Sequence, residues 1–155
     1  MDQTPSVGLL QFSIEGERHA IALDSVERVV RAVALSPLPG SPAVIRGIFS
    51  LHGRIVPVAD PRRRLGLADR EIALEDRIII ARTPARLLGL LVHGDLEVLA
   101  CDRTAIVAAE SVLSGAELVE GVGRLPDGLV LIQSLAKFFS LEEERRLAEA
   151  VHAFA

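Results

Sequence analysis

Tryptophan and tyrosine are absent from this sequence, and five phenylalanines supply all of its 3% aromatic content. A core made without the larger rings has to be filled by Val, Leu, Ile and Ala. Proteins that bind single-stranded nucleic acid commonly stack the bases on exposed aromatic side chains. The net charge is also −4, whereas a protein that binds the phosphate backbone needs an excess of cations. The composition therefore argues against a nucleic-acid partner.

Cysteine and long apolar stretches are equally scarce. Cys101 is the only cysteine, which excludes an internal disulfide and a multi-cysteine metal site, so we expect it to be a small core or strand residue. No uncharged stretch reaches the ~18 residues of a membrane span, and the start of the chain lacks the basic region of a signal peptide. We therefore expect a cytoplasmic protein without direct membrane insertion.

Short apolar runs separated by turn residues dominate the chain. At 155 residues we expect a single domain over residues 7–139, preceded by a flexible N-terminus over residues 1–6. Runs of this length at regular spacing predict a mainly β protein, either a barrel or a sandwich, although periodicity alone leaves open whether one run is a strand or a buried helix. The predicted strands are Val7–Ile14, Ala20–Leu23, Gly47–Leu51, Ile55–Ala59, Ile78–Ala81, Leu87–Val92, Leu96–Ala100, Ile106–Ala108, Leu118–Val122 and Gly128–Ile132.

The end of the chain has the pattern of a helix. Ser140 and Glu143 have the spacing of a capping box, in which each side chain bonds the backbone of the other residue. We expect a C-terminal helix over residues 140–155 that packs on the domain, because a helix this short is unstable alone. The apolar residues that recur on one face of it are Leu147, Val151 and Phe154.

The histidines form no recognisable catalytic or metal-binding pattern. Their spacings match no histidine-based metal motif, and the sequence has no nucleophile elbow, phosphate-binding loop or dinucleotide-binding glycine motif. We expect His19 and His152 to be solvated, and His52 and His93 to occupy turns. The sequence therefore predicts a binding module that has no enzymatic activity, metal or cofactor. The alternative is a small-ligand binder or enzyme that uses His52, His93 and a carboxylate.

The basic run Arg62-Arg63-Arg64 has two interpretations. It could contact an acidic partner through its charge. It could also be a solvated turn of helix between strands that ends at Gly66. The sequence favours the second interpretation.

The segment from Leu38 to Asp60 carries the most specific pattern of the chain. It reads Leu-Pro-Gly-Ser-Pro-Ala-Val-Ile-Arg-Gly-Ile-Phe-Ser-Leu-His-Gly-Arg-Ile-Val-Pro-Val-Ala-Asp, and it resembles the core signature of the CheW coupling proteins of bacterial chemotaxis. Weaker matches at Val26–Val29, Leu87–Gly94 and Leu125–Leu135 extend the resemblance over nearly the whole chain. The residues that fall in step with the signature without a gap are Pro39, Pro42, Gly47, Gly53, Pro57 and Asp60.

The resemblance implies a fold and a function. The fold would be two SH3-like five-stranded β-barrel lobes around a shared apolar core, with the C-terminal helix added. The function would be that of a non-catalytic scaffold, or adaptor, that couples the cytoplasmic tip of chemoreceptors to the regulatory domain of a CheA-type histidine kinase, in rings or arrays. No cofactor is implied. The candidate partner-binding residues are Val26, Arg28, Leu51, His52, Ile55, Val56, Leu88, Leu90 and Val92.

Three positions depart from the family pattern. The Asn-hydrophobic-Arg-Gly element of the family is Ser-Leu-His-Gly here, with His52 in place of the Arg, and Arg28 stands where the family has a Glu. In the family these two side chains can pair across neighbouring strands, and the corresponding positions here hold Arg28 and His52. We expect Arg28 to lie at the surface or to be paired elsewhere, because a buried arginine without a partner would be costly. His93 replaces a family Asp. The departures favour, as an alternative function, an adaptor in a divergent chemosensory pathway that controls something other than swimming.

Overall fold

The protein is mainly β, as predicted. The computed structural model describes residues 6–108 and 119–154, with only the backbone of Val119 and Glu120. The first five residues of the predicted flexible N-terminus, and the predicted strand start at Leu118, lie outside these ranges. The elements are β1 (Ser6–Ile14), β2 (Glu17–Ala22), β3 (Val26–Arg31), β4 (Ile45–Leu51), β5 (Arg54–Ala59), α1 (Pro61–Arg64), β6 (Arg77–Arg82), β7 (Leu87–Asp102), β8 (Ile106–Ala108), β9 (Val119–Leu125), β10 (Gly128–Gln133) and α2 (Leu141–Phe154).

Two compact units alternate along the chain. The first unit consists of Met1–Ser25 and Asp95–Phe138, and the second of Val26–Gly94 and Phe139–Ala155. Strand β7 contributes to both units, since the boundary between them falls directly after Gly94. Each unit is therefore built from two separate segments of the sequence.

The first unit links β7 and five further strands, in the order β7–β1–β2–β10–β9–β8. Strands β1 and β2 form a hairpin through Glu15 and Gly16, whose φ values of 50° and 82° suit the two-residue turns that match the twist of paired strands. The core of this unit includes Cys101, which is buried as predicted. Burial raises the pKa of its thiol, so this cysteine is a packing residue rather than a reactive thiolate.

The second unit links five strands, in the order β4–β5–β7–β6–β3. Strands β5 and β7 are parallel and the other pairs are antiparallel. Aliphatic side chains from the three central strands fill its core, as expected for a sequence without large aromatic rings. They are Val56, Val58, Ile78, Ile80 and Leu91.

Strand β7 differs from the prediction. The runs Leu87–Val92 and Leu96–Ala100 were predicted as two strands, but one strand spans both. His93 and Gly94, which were expected to form a turn, lie within it. The positive φ of Gly94, 79°, is accommodated where β7 passes from the second unit to the first, so the glycine marks a change of unit rather than a reversal of the chain.

Helix α2 begins with the predicted capping box. The backbone N–H of Glu143 donates to Oγ of Ser140 at 3.1 Å, and the backbone N–H of Ser140 donates to Oε1 of Glu143 at 3.0 Å. Leu147 is buried and Val151 is half-buried, whereas Phe154 is 51% exposed. The prediction that Phe154 belongs to the packed face is therefore wrong, because the helix rests on Leu147 and Ala150.

Candidate protein-interaction surface

The segment between β3 and β4 (residues 32–44), here called the connector, contains the two signature prolines and is hydrogen-bonded to β4. Ser36 and Ile48 exchange two backbone hydrogen bonds, at 2.8 and 2.9 Å. This close approach requires Gly47, because a Cβ atom at that position would lie 2.6 Å from the carbonyl oxygen of Ser36. In the connector itself Pro42 is buried and Pro39 is exposed. The signature glycine therefore lets the connector run directly against the sheet.

The next signature element is the tight hairpin between β4 and β5. Leu51 pairs with Arg54, which leaves His52 and Gly53 as the turn. Their φ values are 52° and 82°, and positive φ at both positions is what such a turn demands. The predicted turn positions of His52 and Gly53 are confirmed.

The last signature residues anchor the end of β5. Pro57 lies opposite Ile48 and is buried. Asp60 is also buried; its Oδ1 accepts from the backbone N–H of Arg62 at 3.0 Å, and its Oδ2 accepts from Nη1 of Arg46 at 3.0 Å. Asp60 is thus the N-cap of α1 and forms an ion pair with Arg46 of β4. A buried carboxylate needs such partners.

The run Arg62–Arg64 is neither a solvated turn nor a free basic patch. Arg62 donates to the carbonyl oxygen of Ala68, Arg63 forms an ion pair with Asp69 at 2.7 Å, and Arg64 donates to Oε2 of Glu143 at 3.0 Å. The hydrogen bond from Arg63 lowers the pKa of the Asp69 carboxyl. The prediction of a solvated run is wrong, because these guanidinium groups hold α1 to the following loop and to α2.

Arg28 and His52 meet at the surface of the second unit, and the expected surface position of Arg28 is confirmed. Nη1 of Arg28 lies 3.1 Å from Nε2 of His52, and both residues are exposed. Arginine can only donate, so Nε2 of His52 accepts and the imidazole is neutral in this contact. A cation and a neutral ring therefore occupy the place of the ion pair that the resemblance implies.

The candidate partner-binding residues fall into two groups. Arg28 and His52 are exposed, and Val26, Leu51 and Ile55 are half-buried on the same strands and hairpin. The other four are buried in the core and cannot contact a partner in this conformation. The reason is that strands covered on both faces read as continuous apolar runs, without the alternation of a surface strand. The four candidates that are buried, and for which the prediction is therefore wrong, are Val56, Leu88, Leu90 and Val92.

Sequence reasoning missed apolar side chains close to Arg28 along the chain. Val29 is 39% exposed and Val33 is 44% exposed. Their position close to the departing Arg28 in the sequence is a signal that could have identified them. They add apolar surface to this edge of the second unit.

Two of the four histidines, His19 and His93, are placed differently from the prediction. His19 is buried rather than solvated; its Nδ1 lies 3.1 Å from Nε2 of Gln133, and burial lowers its pKa. His93 is also buried, with Nδ1 2.9 Å from Oδ2 of Asp76. His152 is exposed, as predicted.

A catalytic or metal site does not emerge from these positions. His52 contacts Arg28 at the surface, whereas His93 contacts Asp76 in the interior, so the described contacts do not join the two histidines. Within residues 6–108 and 119–154, no group of three or more His, Cys, Asp or Glu side chains is placed to hold a metal ion. No helix in the same ranges has the length and apolar character to cross a membrane.

Comparisons with known proteins agree on one family. The family model described as "CheW-like domain" matches residues 8–143. The "Chemotaxis protein CheW" of Treponema pallidum is 25% identical over 146 residues, covering 90% of this chain and 86% of that protein. That of Bacillus subtilis is 29% identical over 147 residues, covering 95% and 84%.

A solved structure shares the fold of this chain. The crystal structure of the scaffolding protein TtCheW from Thermoanaerobacter tengcongensis superimposes with a TM-score of 0.80 at 28% identity, covering 90% of this chain and 96% of that one. The predicted fold of two SH3-like β lobes with a C-terminal helix is thus confirmed. Since the family model spans most of the sequence, the chain belongs to the CheW-like domain family.

Proposed function

We propose that this protein is a non-catalytic scaffold that couples the cytoplasmic tip of chemoreceptors to the regulatory domain of a CheA-type histidine kinase. The observation that carries the proposal is the CheW-like match over residues 8–143, joined to the likeness in fold to a scaffolding protein. The relatives named as chemotaxis proteins support the same pathway. A scaffold of this kind acts in the cytoplasm, is recruited to receptor arrays at the membrane, and assembles with its partners into rings.

The surface of the second unit suits such a role. Arg28 and His52 present polar groups to solvent, beside half-buried Val26 and Ile55 and exposed Val29. Transient interfaces combine apolar and polar side chains in this way. The backbone beneath is held by the two-residue hairpin turn and by the buried bonds of Asp60, so little conformational entropy is lost when a partner binds.

Binding to both partners tests the proposal. The purified protein is mixed with the kinase regulatory domain and with receptor cytoplasmic fragments from the same genome, and the mixtures are analysed by size-exclusion chromatography. We expect co-elution with each partner, and receptor-dependent stimulation of kinase autophosphorylation only when this protein is present. Failure to bind both the kinase domain and every receptor fragment would contradict the proposal.

A second candidate is an adaptor in a divergent pathway that regulates a kinase without a receptor array. The contact between Arg28 and His52 favours it, because this pair replaces the one that the family uses. The same experiment separates the two candidates: binding to the kinase domain without binding to any receptor fragment supports the divergent adaptor. Arg28→Glu should alter receptor binding, whereas Arg31→Glu, an equal change of charge on the same strand, should not.

A further inference from the structure

Helix α2 is attached to the second unit by few apolar side chains. Along its described length, Leu141–Phe154, the buried residues are Leu147 and Ala150. The apolar residues at its two ends face solvent, since Leu141 is 92% exposed and Phe154 is 51% exposed. Hydrophobic stabilisation grows with the apolar area removed from water. The apolar contact of α2 is therefore small and lies away from both ends of the helix.

Ion pairs hold the N-terminal end of α2 to two separate parts of the second unit. Nη1 of Arg64, in α1, donates to Oε2 of Glu143 at 3.0 Å. Nε of Arg86, directly before β7, donates to Oε1 of Glu144 at 3.0 Å, and its Nη2 donates to the same oxygen. The four side chains are 18–30% exposed, so water and salt ions reach both pairs and weaken the attraction between their charges.

One carboxylate joins the docking of α2 to the start of the helix. Oε1 of Glu143 accepts the backbone N–H of Ser140 in the capping box, while Oε2 accepts from Arg64. Partial burial raises the pKa of Glu143, but the hydrogen bonds from Arg64 and Ser140 outweigh that effect and lower the pKa below its usual value. Glu143 is therefore ionised at neutral pH, and the same charged group both caps α2 and holds it to α1.

Released from the second unit, α2 should lose its helical structure. It has 14 residues, and isolated helices of up to about 12–15 residues are marginal in water. The ion pairs of Arg145 with Glu142 and Glu149 lie within the helix, but exposed pairs at these spacings add little stability. Unfolding returns conformational entropy to the released residues, and this gain lowers the free energy needed to detach α2.

We propose that α2 is a detachable strap, which opens and unfolds locally while the sheet of the second unit stays folded. Local opening of this kind is typical of elements with little buried apolar area. The ion pairs of Glu143 and Glu144 set how often the strap opens, so rising ionic strength or the loss of these charges releases it. Release exposes Leu147 and Ala150 together with the surface that they cover. The proposal does not depend on the coupling function proposed above.

Paired substitutions on the helix test the proposal. The strap variant is Glu143→Gln with Glu144→Gln. A glutamine at position 143 can still accept the bond from Ser140, so the cap is kept while both docking charges are removed. The control is Glu142→Gln with Glu149→Gln, which removes two exposed carboxylates of the same helix whose partner is Arg145. Both variants change the net charge by the same amount.

Amide hydrogen exchange follows the opening of α2. It is measured by mass spectrometry on the full chain at ~0.05 and ~0.5 M salt. The amides of β6 provide the internal reference, because Ile78, Ile79 and Ile80 of that strand are fully buried. Exchange that is faster in α2 than in β6 reports local opening rather than unfolding of the whole protein.

In the unaltered protein, we expect the amides of α2 to exchange faster than those of β6, and to speed up by about twofold or more at the higher salt. In the strap variant the exchange of α2 should rise by about fivefold or more while β6 stays protected, whereas the control should rise by less than about twofold. The proposal is overturned if α2 and β6 exchange at the same rate, because α2 would then open only with the whole protein. It is also overturned if the strap variant and the control exchange equally.

Discussion

Nδ1 of His93 lies 2.9 Å from Oδ2 of Asp76, and both side chains are more than nine-tenths buried. The same carboxylate oxygen accepts the backbone N–H of Ala73 at 2.7 Å. One buried acid therefore ties β7 to the loop that precedes β6. The approach lacks hydrogen-bond geometry, because neither ring nitrogen of His93 has a hydrogen-bond partner within the described residues, and a polar group buried in this way is costly.

Asp76→Ala should destabilise the protein by about 1–3 kcal/mol, because it leaves the N–H of Ala73 without its acceptor and removes the carboxylate that lies beside the buried His93. Urea unfolding measures the free energy. The matched control is Glu75→Ala at the exposed preceding position, which should change the stability by less than about 0.5 kcal/mol. Equal effects of the two substitutions would show that the buried contact does not contribute to stability.

Gly47 of the signature and Gly66, which follows α1, should differ in their tolerance of alanine. A Cβ at Gly47 would lie 2.6 Å from the carbonyl oxygen of Ser36 and 2.9 Å from Cβ of Leu35. Gly66 has a positive φ of 75° but nothing within 4 Å of the added atom. We expect Gly66→Ala to cost about 1–2 kcal/mol from backbone strain alone. Gly47→Ala should cost about 1–3 kcal/mol more, because the connector must move away from β4.

Thermal and urea unfolding of these two variants test that difference. If Gly47→Ala is no more damaging than Gly66→Ala, the contact between the connector and β4 is not what requires the glycine. The comparison contrasts backbone strain at Gly66, whose φ is 75° and which has no neighbour, with steric crowding at Gly47, whose φ of 159° is near the extended region.

Local patterns in the sequence were sufficient for the turns and the helix cap. The His52-Gly53 turn and the capping box of Ser140 depend on residues within four positions of one another, so the sequence predicts them directly. Burial depends instead on distant partners. His19 and His93 are buried beside Gln133 and Asp76, which are remote from them in the sequence, so no local pattern could predict where the two histidines lie.

Two other errors have the same origin. The guanidinium groups of Arg62–Arg64 find acceptors in a loop and in α2, and nothing in the basic run itself indicates those acceptors. The resemblance marks the strand of Leu88 and Leu90 as partner-binding, but both side chains are fully buried. The family pattern identified the fold correctly without separating core from surface.

The stability of the first unit should depend on the protonation of His19. Desolvation by burial lowers the pKa of His19 below its usual value, opposed in part by the nearby charge of Glu17. The unfolded state therefore takes up a proton at a higher pH than the folded state does. The free energy of unfolding should be largest above pH ~6.5 and fall as the pH decreases toward the lowered pKa, with a slope from this group of at most about 1.4 kcal/mol per pH unit.

His19→Asn should remove this contribution, because an amide oxygen can accept from Gln133 but does not titrate. Denaturant unfolding of the variant and of the unaltered protein between pH ~5 and ~8 measures the difference in slope. The control is His152→Asn on the exposed end of α2, which should leave the slope unchanged. Parallel curves for the unaltered protein and His19→Asn would rule out His19 as the source of the pH dependence.

The contact between Arg28 and His52 should be exchangeable for the pair that the resemblance implies. Arg28→Glu together with His52→Arg places a carboxylate and a guanidinium at two exposed positions whose side chains already meet at 3.1 Å. Exposed ion pairs contribute ~0–1 kcal/mol, so the double variant should remain folded with nearly unaltered stability. The three variants to compare are Arg28→Glu alone, His52→Arg alone and the double variant. His52→Arg alone should be the least stable of them, since it brings two guanidinium groups together. A double-mutant cycle on urea unfolding gives the coupling free energy between the two positions, which should be favourable and up to about 1 kcal/mol. An unfolded double variant, or a coupling free energy of zero, would mean that these two side chains do not interact in solution.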